Sequence, residues 1–135
     1  MKTTRFFSII KLFQNAFMAL IFLFSLSIFS QDLTNVTFSV NTENIQVGAN
    51  GIYLGGGIFS TATAHALDDS DGDGIWEVTV QLEPGTTGNY IFLNSPEDAG
   101  DWGATENLNG QDCADPANYD DRILEPVGTE DYTLL

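Results

Sequence analysis

Lysine is missing from every position after Lys11, and arginine occurs there only once, at Arg122. Against that single cation stand 19 Asp and Glu, all from Asp32 onward, a formal charge of -18 over residues 31–135. Such a body repels phosphate backbones and anionic lipid heads, which excludes nucleic-acid binding and a polybasic membrane patch. It also has no lysine with which a phosphate-cradling loop could work. Divalent cations and neutral ligands remain as partners. Histidine and cysteine are just as scarce, with His65 and Cys113 the only ones. They lie far apart and there is no Gly-x-Ser-x-Gly elbow, so no nucleophilic triad can be assembled. No window of the body sustains a 3.6-residue apolar period over a helical length, and no second long apolar run follows the first. A helical bundle and a multi-spanning membrane protein are therefore excluded.

What is present divides the chain in two. Residues 1–30 hold seven of the ten Phe, both Met and three of the four basic residues (Lys2, Arg5, Lys11). A basic start, an apolar stretch from Ala16 to Phe29 and the small Ser30 follow the order of a secretory signal peptide. The apolar stretch is shorter than the roughly 20 residues needed to cross a bilayer. The expectation is a signal peptide over 1–30 and one domain over 31–135, exported, with no membrane attachment after cleavage; the alternative is an uncleaved N-terminal anchor. In an oxidising compartment the single Cys113 suggests a partner on another chain, a free thiol or a missing partner. The chain ends within the strand-like Tyr132-Thr-Leu-Leu135 without a terminating turn. That ending predicts a C-terminal truncation, with downstream domains and a cysteine that pairs with Cys113. The alternative is a buried, unpaired thiol.

The body reads as strands. Val36-Thr-Phe-Ser-Val40 alternates, placing Val36, Phe38 and Val40 on one face. Ile75-Trp-Glu-Val-Thr-Val-Gln-Leu82 does the same, with Trp76, Val78, Val80 and Leu82 toward a core and Glu77, Thr79 and Gln81 away from it. Ile52–Leu54, Tyr90–Leu93, Arg122–Leu124 and Tyr132–Leu135 are further candidates, and residues 61–66 allow one helical turn at most. Gly55-Gly-Gly57 reads as a turn or bulge. Five to six strands at spacings of about ten residues, with Gly, Pro, Asn and Asp between them, predict an all-β, antiparallel, immunoglobulin-like sandwich.

Two segments carry the chemistry. In Asp68-Asp-Ser-Asp-Gly-Asp-Gly74, the carboxylates of Asp69, Asp71 and Asp73 have the spacing of the first half of a Ca²⁺ loop. The twelfth position is Val80, where an EF-hand needs a bidentate Glu. A shorter Ca²⁺ site using Glu77 and a solvated acidic turn are both compatible with this pattern. The second segment, from Asn94 to Tyr119, is a long loop carrying Trp102 and Tyr119 among amides and acids that include Asn94 and Glu106. Aromatic faces make apolar contact with sugar rings, and amides and carboxylates accept from sugar hydroxyls. An indole anchored on the sandwich edge is the other reading of Trp102. Scattered carboxylates on a domain this small leave little room for a deep glycosidase cleft, which makes an independent enzyme the third reading.

The order of Gly51-Ile-Tyr-Leu-Gly-Gly56, Gly74-Ile-Trp-Glu-Val-Thr-Val-Gln-Leu82, Pro84-Gly-Thr86, Tyr90-x-Phe92, Trp102…Glu106 and Asp121-Arg122 resembles starch-binding β-sandwich modules of the family 20 type. It resembles still more closely the related modules on secreted proteins of Bacteroidetes, often attached to glycoside hydrolases. The resemblance spans roughly Val36 to Leu135. It implies a noncatalytic polysaccharide-binding module, exported by a Gram-negative cell to its surface or exterior. Trp102 would stack on a glucose ring and Glu106 would assist. Such binders usually carry another Trp soon after the Gly-rich turn. Here Phe59 and His65 are the only ring side chains in residues 57–66, which leaves the glucan linkage open. The alternative from a different class is a Ca²⁺-stabilised structural or adhesive sandwich of a cell-surface protein.

Overall fold

A computed structural model describes residues 32–135, which form one unit. The expected signal peptide lies outside the described residues. Eight strands make two sheets: β1 (Thr34–Asn41), β2 (Ile52–Gly55), β3 (His65–Ala66), β4 (Ile75–Leu82), β5 (Gly88–Asn94), β6 (Ala114–Asp115), β7 (Asp121–Leu124) and β8 (Tyr132–Leu134). One sheet has the order β4-β1-β8 and the other β3-β2-β5-β7-β6. The fold is an all-β sandwich.

The core follows from strand alternation. Val36 and Phe38 of β1 pack against Ile52 and Leu54 of β2, Tyr90 and Phe92 of β5, and Leu124 of β7. Trp76, Val78, Val80 and Leu82 of β4 add their faces to the same core. They are half-buried rather than sealed because β4 is an edge strand. The outer face of the three-stranded sheet is polar. There Thr37 and Thr79 share a hydroxyl–hydroxyl bond of 2.8 Å, and Gln81 donates to Asn35. Thr34 points inward, and its hydroxyl stays satisfied by donating to the Gly128 carbonyl. No buried side-chain polar atom among the described residues lacks a partner.

The five-stranded sheet is different, because it is covered on both faces. The central strand β5 buries all of Tyr90, Ile91, Phe92 and Leu93. Tyr90 and Phe92 enter the sandwich, while Ile91 and Leu93 form a second, smaller cluster with Ala62, flanked by Tyr53 and Ala104. An unbroken apolar run marks a strand with no solvent face. Residues 95–106 supply the outer cover, held by a bond from the Ala62 amide to the Ala99 carbonyl and a bridge between Leu93 and Thr105.

The structure refines three local expectations. Residues 61–66 form no helical turn. The helical geometry is a short 3-10 turn at Gly57–Phe59, and His65–Ala66 instead pairs with β2. The Gly-rich segment therefore leads from a strand into that turn. The sheets are also not wholly antiparallel, since β8 runs parallel to β1 with Val36 opposite Tyr132. Finally, the thiol of Cys113 is exposed, which removes the reading of a buried cysteine.

Candidate functional site

An open groove of about 550 Å³ lies on the covered face of the five-stranded sheet, lined by Gly56, Gly57, Ser60, Ile91, Trp102, Thr105, Tyr119 and Asp121. Its floor is made by Gly56, whose φ of 67° puts it in left-handed space. A Cβ built there would lie 3.1 Å from the Ile91 side chain, 3.6 Å from Asp121 Oδ2 and 3.8 Å from Trp102 Cζ3. Only glycine leaves the floor open at this point, and the indole and the carboxylate flank it.

Trp102 begins a 3-10 turn, and its segment is stapled by acids acting on neighbouring backbone. Asp101 accepts from the amides of Glu97 (3.0 Å) and Gly103 (3.2 Å), and Asp98 accepts from Gly100 (2.7 Å). The Thr105 hydroxyl donates to the Trp102 carbonyl. Short polar side chains bind their own backbone readily, which makes this loop specific rather than slack. The indole it presents is 45% exposed. Tyr119 also lines the groove and is 96% exposed, with φ at 58° and Asp120 next to it at 62°. Two consecutive non-glycine residues in left-handed space are uncommon. Asp115 holds this turn by accepting from the Ala117 amide and from Asn118 Nδ2. The hydrogen bonds from Asn118, Ala117 and Asn89 hold the Asp115 carboxyl below its ordinary value.

The structure therefore brings together two of the four residues expected to contact sugar. Trp102 and Tyr119 line the groove. Asn94 does not, because its side chain accepts from the Gly48 amide and donates to the Gln46 carbonyl, fastening that loop to β5. Glu106 is also spent elsewhere. Its carboxylate forms a two-point ion pair with Arg122 and accepts the Phe92 amide at 3.0 Å. The pairing with Glu106 holds the Arg122 guanidinium above its ordinary value. The acid that does reach the groove is Asp121, on the outer face of β7. Partial burial, then the nearby charges of Glu106 and Asp115, push its carboxyl up. Alternation supplied a signal for Asp121, since with Arg122 and Leu124 edging the core on either side of Ile123, its own side chain must point outward.

A second cluster sits at the turn before β4. One carboxylate oxygen from each of Asp69, Asp71 and Asp73 lies within 4.8 Å of the others. Asp69 also accepts from the Gly74 amide, and Asp73 from that of Ile75. Glu77 is not part of the trio. It exchanges backbone bonds with Asp68 and borders an adjoining depression shared with Asp71 and Asp73. The three aspartates are the described residues best placed to hold a hard cation, with Glu77 at the margin.

Compared with known proteins, the chain matches no family model, no curated protein and no solved structure.

Proposed function

We propose that residues 32–135 form a noncatalytic carbohydrate-binding module that takes a polysaccharide across the groove on the five-stranded sheet. One observation carries the reading: two exposed aromatic side chains, Trp102 and Tyr119, border one groove that also holds a carboxylate and two hydroxyls, those of Ser60 and Thr105. Large aromatics left in water cost apolar exposure, and pairing them with hydrogen-bonding groups suits a ligand that is apolar on its ring faces and polar at its rim. The groove volume is in the range of ordinary small-ligand sites. The resemblance to starch-binding modules supports a glucan as the polymer, and the leader supports export.

The test is retention on insoluble and gel-embedded α- and β-glucans, together with intrinsic fluorescence. Trp102→Ala is expected to weaken retention about tenfold or more, at a stability cost of about 1 kcal/mol. Trp76→Ala is the contrast. Its indole packs on the core, so a loss of about 3 kcal/mol is expected. Retention that survives Trp102→Ala, or no retention on any glucan by the intact protein, would remove the reading.

A second reading has its own support in the convergence of Asp69, Asp71 and Asp73. On that reading, Ca²⁺ binding at the turn stabilises a sandwich that serves as a structural or adhesive unit. The two readings are compatible, since the turn and the groove share no lining residue.

A further inference from the structure

We propose that the groove selects sugar units bearing a free, protonated amine, as in a de-N-acetylated hexosamine, over neutral and acidic units. This rests on the carbohydrate reading and specifies the charge of the ligand. The inference begins with Asp121, whose Oδ2 shares the groove floor with the edge of Trp102 across Gly56. Among the described residues, no donor bonds the Asp121 carboxylate, and the domain's only arginine is tied to Glu106. Its neighbours make matters worse, since Glu106 and Asp115 add like charge and burial strips water from it.

A carboxylate in that position is served best by a cation. A sugar hydroxyl would donate a hydrogen bond to the carboxylate, whereas an ammonium donates one and also brings the opposite charge. The Trp102 ring lining the same groove offers apolar contact to the sugar ring that carries the ammonium. A uronic acid would place a second anion against Asp121, in a domain whose surface is acidic throughout. Aromatic ring, unpartnered carboxylate and absence of any competing cation in one groove therefore point to an amino sugar.

The experiment titrates the protein with four short probes: a β-1,4-linked glucosamine tetrasaccharide, its fully N-acetylated counterpart, cellotetraose and a tetra-uronate. Short probes limit diffuse attraction between a polycation and an acidic protein. The free-amine tetramer is expected to bind about tenfold more tightly than the N-acetylated one, and the uronate least. Asp121→Asn should bring the free-amine tetramer to the level of its N-acetylated counterpart. Glu130→Gln, the same charge change at an exposed residue outside the groove, should leave the preference intact. A second measurement stands if Asp121→Asn does not fold. Raising salt from about 50 to about 500 mM should erode the wild-type preference and spare the affinity for the N-acetylated probe. Equal binding of free-amine and neutral probes would overturn this inference and leave the carbohydrate reading standing. An equal loss with Glu130→Gln would also overturn it, by reducing the preference to overall charge. Binding of no probe here and no glucan above would overturn both.

Discussion

Arg122 grips Glu106 at two points, Nε to Oε1 and Nη2 to Oε2, each at 2.8 Å. The same Oε1 accepts the Phe92 amide, while the Glu106 amide donates to the Phe92 carbonyl. The Arg122 guanidinium in turn lies 5.2 Å from the centre of the Phe92 ring. Register between β5 and β7 ends at Tyr90 opposite Arg122, and beyond it residues 105–106 flank β5 instead. The ion pair thus fastens the segment that carries Trp102. Both side chains are only about one-fifth exposed, at 19% and 20%.

Removing one partner leaves the other desolvated without compensation, which costs more than the pair itself contributes. Glu106→Gln is expected to lower unfolding stability by about 2–3 kcal/mol in urea titration. Glu106→Leu combined with Arg122→Met should recover part of that loss. A change below about 0.5 kcal/mol for Glu106→Gln would show that the pair is a surface contact of no consequence.

Gly57 separates close approach from simple turn geometry. Its φ is 44°, and a Cβ there would overlap the Asn89 carbonyl. Gly57→Ala is expected to cost about 3 kcal/mol or more. Gly85, at φ 87° with open space around it, should cost only the left-handed penalty of about 1 kcal/mol. Equal melting temperatures for the two variants would contradict this contact.

Acid should weaken the protein through Asp131, which clamps Asn35 by accepting its backbone amide (2.8 Å) and its side-chain amide (2.9 Å). These bonds hold its carboxyl below the ordinary 3.8, so folding favours the ionised form. The stability it contributes is present above 3.8 and is lost as pH falls through the lower folded value. Asp131→Ala should lower the melting temperature at neutral pH and flatten the acid limb below about pH 4. Asp121 has the opposite sign. With its folded value raised, it opposes folding once ionised, so Asp121→Asn should be more stable at neutral pH and equal to wild type near pH 3. An unchanged acid limb in Asp131→Ala would count against the clamp.

Millimolar Ca²⁺ is expected to raise the melting temperature, because a ligand bound only by the folded state stabilises it by mass action. At tenfold excess over Kd the gain is about 1.4 kcal/mol, or about 6–7 °C for a domain of this size. Asp71→Ala should abolish it. Identical melting in Ca²⁺ and in chelator would reduce Asp69, Asp71 and Asp73 to a solvated turn.

Local alternation alone was enough to place Val36 and Phe38, and to set the inward phase of Trp76, Val78, Val80 and Leu82, because a side chain's face in a strand depends only on its neighbours two positions away. The all-β character was legible for the same reason, as was the clustering of Asp69, Asp71 and Asp73 within one short turn. Two-residue strands such as His65–Ala66 and Ala114–Asp115 are too short to carry a period, and the parallel pairing of β8 with β1 joins ends of the domain that no turn connects.

The groove depended on tertiary structure throughout. Nothing local distinguishes Glu106 from the other loop acids. It became structural because the body's only arginine is brought beside it across the β5–β7 register, and a half-buried guanidinium requires a counter-charge. Asn94 was likewise captured by backbone groups at Gln46 and Gly48, far away in the chain. Ile91 and Leu93 are packed mainly with Ala62, Tyr53 and Ala104, while Trp102 and Tyr119 stay exposed at the groove. Asp121 enters the groove because β7 pairs with β5, on whose other side Gly56 follows β2 and leaves the floor with no side chain to fill it.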